Sequence, residues 1–145
     1  MSEITYIFDF KRSPSFFDQF NKLFDLDNMD GNSDEFAFIF CSTAPSNISE
    51  CILNDGTLDT SKVTVADTVD CALSWEDNKI SVASDTVYNI GNTKVPLKAF
   101  FLEDKSTGFI LGYSINGNSF EVTNKIQFDE GTVLFTLYDG DGENV

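Results

Sequence analysis

The feature that most constrains this chain is the return of a large apolar side chain at every second position, in short runs broken by Gly, Asn and Asp. Successive side chains of a strand point to opposite faces, so a period of two buries one face of a sheet, whereas a helix needs a period near 3.6. Phe36, Phe38 and Phe40 share one phase. After a loop marked by Pro45 and by Asn54-Asp55-Gly56, Val63 and Val65 begin a second extended stretch. Val69, Cys71, Leu73 and Trp75 continue it, out of phase with Ala72 and Ser74. Glu76-Asp77-Asn78 reads as a turn into a short strand with Ile80 and Val82. Residues 87–90 form the next strand, closed by Gly91-Asn92.

The rest repeats the pattern. Val95, Leu97, Ala99 and Phe101 lie on one face of a longer strand, with Phe100 and Leu102 on the other. Asp104-Lys105-Ser106-Thr107-Gly108 reads as a hairpin loop, and Phe109, Leu111 and Tyr113 run back from it. Asn116-Gly117 is a strong type I′ turn signal. Phe120 and Val122 follow, then Ile126 and Phe128, the turn Asp129-Glu130-Gly131, and a last strand with Val133, Phe135 and Leu137. Short strands separated by turns at near-regular intervals predict a mainly β fold, an antiparallel β-sandwich of jelly-roll-like kind.

The N-terminal region carries a second period. Ile4, Tyr6, Phe8 and Phe10 alternate as a strand. Ser13 is a good N-cap and Pro14 suits a first helical turn. Phe16, Phe17, Phe20, Leu23 and Phe24 then recur at helical spacing, which predicts one short amphipathic helix over about 14–25. The adjacent Phe16 and Phe17 widen its apolar stripe, either as a broad buried face or as a contact with a neighbouring subunit. A polar loop covers residues 25–34, and the acidic stretch 139–145 is expected to be loose. No internal repeat or linker divides the chain, so residues 1–145 are read as a single domain. A domain of 145 residues buries about two-thirds of its unfolded surface. With 15 Phe it needs neither metal nor disulfide to fold.

Charge narrows the partners. Nine Lys and Arg stand against 24 Asp and Glu, a formal net charge of -15. Such a field repels phosphate backbones and anionic lipid, so neither nucleic acid nor a membrane is an expected partner. Solubility accounts for the charge, and cation binding or docking onto a basic protein surface are its functional readings. No run approaches about 18 apolar residues, so no transmembrane helix is expected, and no basic region followed by an apolar run announces a signal peptide.

Chemistry has few places to reside. The chain contains no His, so it has neither a His-based triad nor a Cys/His metal site. Cys41, Cys51 and Cys71 are odd in number and match no zinc spacing. They read as small strand or core residues of a reduced protein, with a disulfide between two of them left open. No nucleophile elbow, phosphate-cradling glycine loop or helical Ser-x-x-Lys occurs. Asp25, Asp27, Asp30 and Asp34 could offer oxygen ligands to calcium, but placing Gly31 at the sixth position puts Leu26 first and Ala37 last, and neither is a ligand. The stretch 25–35 therefore reads first as a solvated acidic connector, as does Asp139-Gly140-Asp141. Trp75, in phase with Val69, Cys71 and Leu73, reads as core and not as a sugar-stacking platform. No catalytic, cofactor-binding or metal residue is assigned, and no cofactor is expected.

One resemblance bears on function. Leu73-Ser74-Trp75, the Ser/Thr-rich strand pair over 80–90, the apolar strand 95–102 with the turn Lys105-Ser106-Thr107-Gly108, and Ile110-Leu111-Gly112-Tyr113 form its first part. The closing block runs through Phe120-Glu121-Val122-Thr123 and Ile126-Gln127-Phe128 to Gly131-Thr132-Val133-Leu134-Phe135-Thr136-Leu137. This order of strands and turns resembles small bacteriophage virion structural proteins of the capsid-decoration, head-auxiliary, head-fibre or tail-fibre type. The likeness covers somewhat under half of the chain and includes no catalytic residue. It implies a non-enzymatic virion component, assembled in the host cytoplasm and oligomeric in the particle. Its partners would be other virion proteins, the major capsid protein or fibre proteins. Within that class a decoration protein binding neighbouring capsid subunits is the first expectation, and a head-fibre or tail-fibre attachment protein the second. From other classes, a carbohydrate-binding module and a small hydrolase are the rivals.

Overall fold

A computed structural model describes residues 11–12, 31–76 and 79–136. The described strands are β1 (Lys11–Arg12), β2 (Gly31–Thr43), β3 (Thr64–Glu76), β4 (Lys79–Val82), β5 (Thr86–Asp104), β6 (Ile110–Phe128) and β7 (Val133–Thr136). They form one sheet in the order β1-β6-β5-β2-β3-β4-β7, and every pairing is antiparallel. The mainly β, antiparallel expectation is met. A single sheet, curled on itself, supplies the opposing layers among the described residues. The expected strand at 4–10, helix at 14–25 and tail at 139–145 lie outside the described residues, as do residues 25–30 of the acidic loop.

The curl has a physical cause in the β5 and β6 ribbon. Phe38 pairs with Leu102, which pairs with Gly112. In a flat ribbon the Cα atoms of Gly112 and Phe128 would stand about 50 Å apart. Yet the rings of Phe38 and Phe128 stack with centroids 4.6 Å apart and planes at 18°. The outer half of the ribbon therefore folds back over the Phe face of β2. Three irregularities set the bend, between Asn89 and Gly91, Gly91 and Val95, and Leu97 and Ala99. Extra residues in one strand of a pair bend it and raise its twist.

This corrects two sequence expectations. Gly91-Asn92 and Asn116-Gly117 were expected to end strands, but β5 and β6 run on through them. Across the last irregularity Leu97 pairs with Phe120 and Ala99 with Ile115, so residues 116–119 face Lys98 alone. The turn chemistry is spent on an excursion within a strand pair. The same shift moves Leu97 to the face of Phe100 and Leu102, not that of Ala99 and Phe101. Likewise Leu111 and Tyr113, expected on one face, divide between the two clusters. One boundary and one phase also move. β2 begins at Gly31, where the pattern placed a loop, because Gly31, Asn32 and Ser33 pair with Trp75, Ser74 and Leu73. In β7 it is Leu134 that packs on the core, while Val133 is exposed.

Two apolar layers result. Inside the curl lie Phe36, Phe38, Phe40, Leu73, Ile80, Tyr88, Leu97, Phe100, Leu102 and Ile126, with Phe128 against them. Phe40 stacks on Tyr88 at 4.6 Å, and Phe38 meets Phe100 edge-on at 5.9 Å. On the opposite face Ile39, Cys41, Ala99, Phe101 and Ile110 are covered by the segment 44–63 through Cys51 and Leu58. That segment opens with a single 3-10 turn, Ile48–Glu50, whose N-cap Asn47 accepts a hydrogen bond from the Ser49 amide at 3.1 Å. Its return is held by Asp59 N–H donating to Cys51 O at 2.7 Å and Ile110 N–H to Gly56 O at 2.9 Å. β2 is thus buried on both faces, which is why residues 36–41 are apolar without a break.

A large ring at the centre of the curl should matter far more than an exposed residue of similar apolar type. Phe38→Ala should lower the unfolding free energy by about 3–5 kcal/mol in urea denaturation. Val65→Ala, at a residue 44% exposed, should change it by no more than about 0.5 kcal/mol. Equal effects would contradict the packing described.

Candidate functional site

Acidic residues build turns at three places. Asp55 accepts from the Thr57 amide at 3.1 Å and the Thr57 hydroxyl at 2.6 Å. Asp59 repeats the arrangement with Ser61, at 3.1 and 2.6 Å. Asp104 does so a third time with Ser106, at 3.3 and 3.0 Å, and also accepts from Thr107 Oγ1. In each case the carboxylate stands in for a backbone carbonyl and closes the turn locally. Asp104 is 1% exposed, and its carboxylate is engaged by its own hairpin. The hydrogen bonds from Thr57 and Ser61 hold Asp55 and Asp59 below the usual carboxylate range. Glu103 moves the other way, because partial burial and then neighbouring Asp104 penalise its charge.

The cysteines behave as expected of small core residues: all three are free and buried. Burial pushes the thiols of Cys41 and Cys71 up to about 12. Cys51 is raised as well, by burial first and then by Glu50 and Asp59. Thiols so shifted are poor nucleophiles at neutral pH. Among the described residues no three metal-ligating side chains gather, and no helix is long and apolar enough to cross a membrane. The calcium reading of 25–35 rests on residues that are mostly outside the described part. The indole of Trp75 is likewise outside the described side chains, although its backbone pairs with Ile80.

The feature best suited to contact is the first half of β3. Residues 64–68 are all exposed, although strand geometry sends them alternately to both faces. One side of this stretch pairs with β2, and β4 covers the other side only from Leu73 to Glu76. Ala72 O accepts from Ala83 N–H at 2.8 Å, so the backbone groups of Ala72 point to the β4 side. Alternation aims those of Asp70 and Thr68 the same way, where no strand is present among the described residues. The Thr68 amide donates to Asp67 Oδ1 at 2.8 Å. Phe40 pairs with Asp67 and Cys41 with Val65, which leaves Ala66 as an extra residue, a bulge. Asp70 meets Lys105 at 3.3 Å. The residue pattern alone does not single out this edge. Its signal was Asp67, a charge in the phase of Val63, Val65 and Val69, which is a known device for guarding an edge strand.

No family model matches the chain, and no curated protein or solved structure is significantly similar to it.

Three measurements follow. With an aromatic disulfide reagent at pH 8, native protein should react hardly at all, and denatured protein should yield all three thiols. Asp55→Ala with Asp59→Ala should lower Tm at pH 7. Their folded-state values are depressed, so the loss should be complete above the unfolded carboxylate value near 3.9 and close as pH falls below it through the depressed folded values. Glu103 has a raised folded value, so its penalty is complete above that value and gone below the unfolded one. Glu103→Gln should therefore raise Tm at pH 7, with the gain vanishing below about pH 4.3.

Proposed function

We propose that this chain is a non-enzymatic structural protein that works by packing against other proteins, and that its place is on the outside of a bacteriophage particle. The observation that carries the docking part is the bare stretch 64–68 of β3, with both faces exposed and one backbone side open among the described residues. The resemblance of the strand-and-turn order over residues 73–137 to small virion proteins supports the particle. A net charge of -15 fits an outer position, away from packaged nucleic acid.

Within this reading the chain is an auxiliary or decoration protein of the head, bound across neighbouring capsid subunits, and an attachment protein of a head or tail fibre is the second choice. Its jelly-roll-like kinship belongs to the same proposal, with the curled sheet as a variant of the two-layered sandwich. It would stabilise the shell by binding the assembled state in preference to free subunits, which shifts the assembly equilibrium by mass action. Assembly in the host cytoplasm accords with three free thiols.

Mass spectrometry of purified particles, with copy number, tests the reading. Hundreds of copies are expected of a head component and about a dozen of a neck or tail piece. Absence of the chain from purified particles would overturn it.

A further inference from the structure

We propose that the open edge of β3, residues 66–70, receives an extended, basic segment of the partner protein as an added antiparallel strand. This inference rests on the docking role argued above and names the class of partner for that surface.

Thr68 and Asp70 direct their N–H and C=O groups to the side that β4 leaves open among the described residues. Adding a strand to such a side satisfies main-chain groups independently of sequence, while side chains alternating to the two faces confer selectivity. The Thr68 amide is held by a local, exposed carboxylate. Exchanging that bond for an incoming carbonyl loses one exposed contact and gains a ladder bond.

Asp67 lies in register with Phe40, and Asp70 with Ala37, so the two carboxylates flank the edge on opposite faces of the sheet. A second copy of this chain would bring its own acidic edge and a formal net charge of -15 up to Asp67 and Asp70, which is unfavourable. A strand carrying Lys or Arg three positions apart, one on each face, would meet both. Lys105, 3.3 Å from Asp70, occupies only one of the two and does so at an exposed site where ion pairs exchange readily. The bulge at Ala66 ends the regular edge on the N-terminal side and β4 ends it on the other. The slot therefore admits a short segment and not an open-ended stack.

The test uses the full chain and a ten-residue peptide of Val and Thr with Lys at positions three apart, so that both faces carry a cation, against a control carrying Glu in place of Lys. Amide shifts and titration by NMR are read at low salt. The basic peptide should shift the amides of residues 66–70, bind at least tenfold more tightly than the acidic control, and weaken as salt is raised. Thr68→Pro removes an outward amide, and Asp67→Lys with Asp70→Lys reverses the charge. Each should weaken binding at least tenfold with the far-UV circular dichroism retained, and the second keeps the test in hand if the first fails to fold. Equal binding by the charge-reversed variant, equal binding of the two peptides, no binding, or concentration-dependent pairing of the chain with itself through these residues would overturn the inference. The particle measurement is independent. Copies in the particle without peptide binding would sink the inference alone, and peptide binding without copies in the particle would sink the virion reading alone.

Discussion

Phe38 on Phe128 and Phe40 on Tyr88 are the contacts on which the rest of the molecule depends. Each pair joins β2 to the far end of the long ribbon, so they hold its outer half over the sheet. Stacked rings of this kind contribute about 0.5–1.5 kcal/mol each beyond the area they bury. More of the stabilisation comes from the apolar surface they enclose together with Phe36, Phe100 and Leu102, which are almost wholly removed from water. Without the fold-back, the Phe face of β2 would lie open to solvent. With it, one sheet serves as both layers of its own core.

Much of this was legible in the alternation. The phases of Phe36, Phe38 and Phe40, and of Val69, Cys71 and Leu73, correspond to the buried face, and the hairpin at Asp104 and the turn at Gly131 fall where the punctuation put them. Gly131 adopts a φ of 90°, the left-handed region that glycine enters without strain, so that signal had one reading. Gly91-Asn92 and Asn116-Gly117 had two. The residues that close a hairpin also relieve a strand of its regular dihedrals, and which outcome wins depends on whether distant surfaces meet. Here Phe128 must reach Phe38, so the flexible residues bend a continuous ribbon. The flip of Leu97 to the other layer is a consequence of the same bend and could not be read from its own phase.

The acidity of the chain divides into separate uses. Asp55, Asp59 and Asp104 close turns through hydroxyl and amide donors two residues ahead, a local arrangement visible in retrospect as Asp-x-Ser or Asp-x-Thr. Asp67 and Asp70 guard an edge. The sequence places Asp55 and Asp104 in turns but does not separate Asp59 from Asp67 and Asp70, because spacing alone does not tell a turn carboxylate from an edge carboxylate, and register is what separates them. The edge was the least legible feature of all. It follows from β4 being short, which is a property of pairing and not of the residues of β3.

The most direct test of the fold-back is a nuclear Overhauser measurement between selectively labelled rings. The account predicts cross-peaks between the ring protons of Phe38 and Phe128 and between those of Phe40 and Tyr88. An assigned spectrum with neither, while the ladder contacts of Phe38 with Leu102 and Leu102 with Gly112 persist, would contradict it.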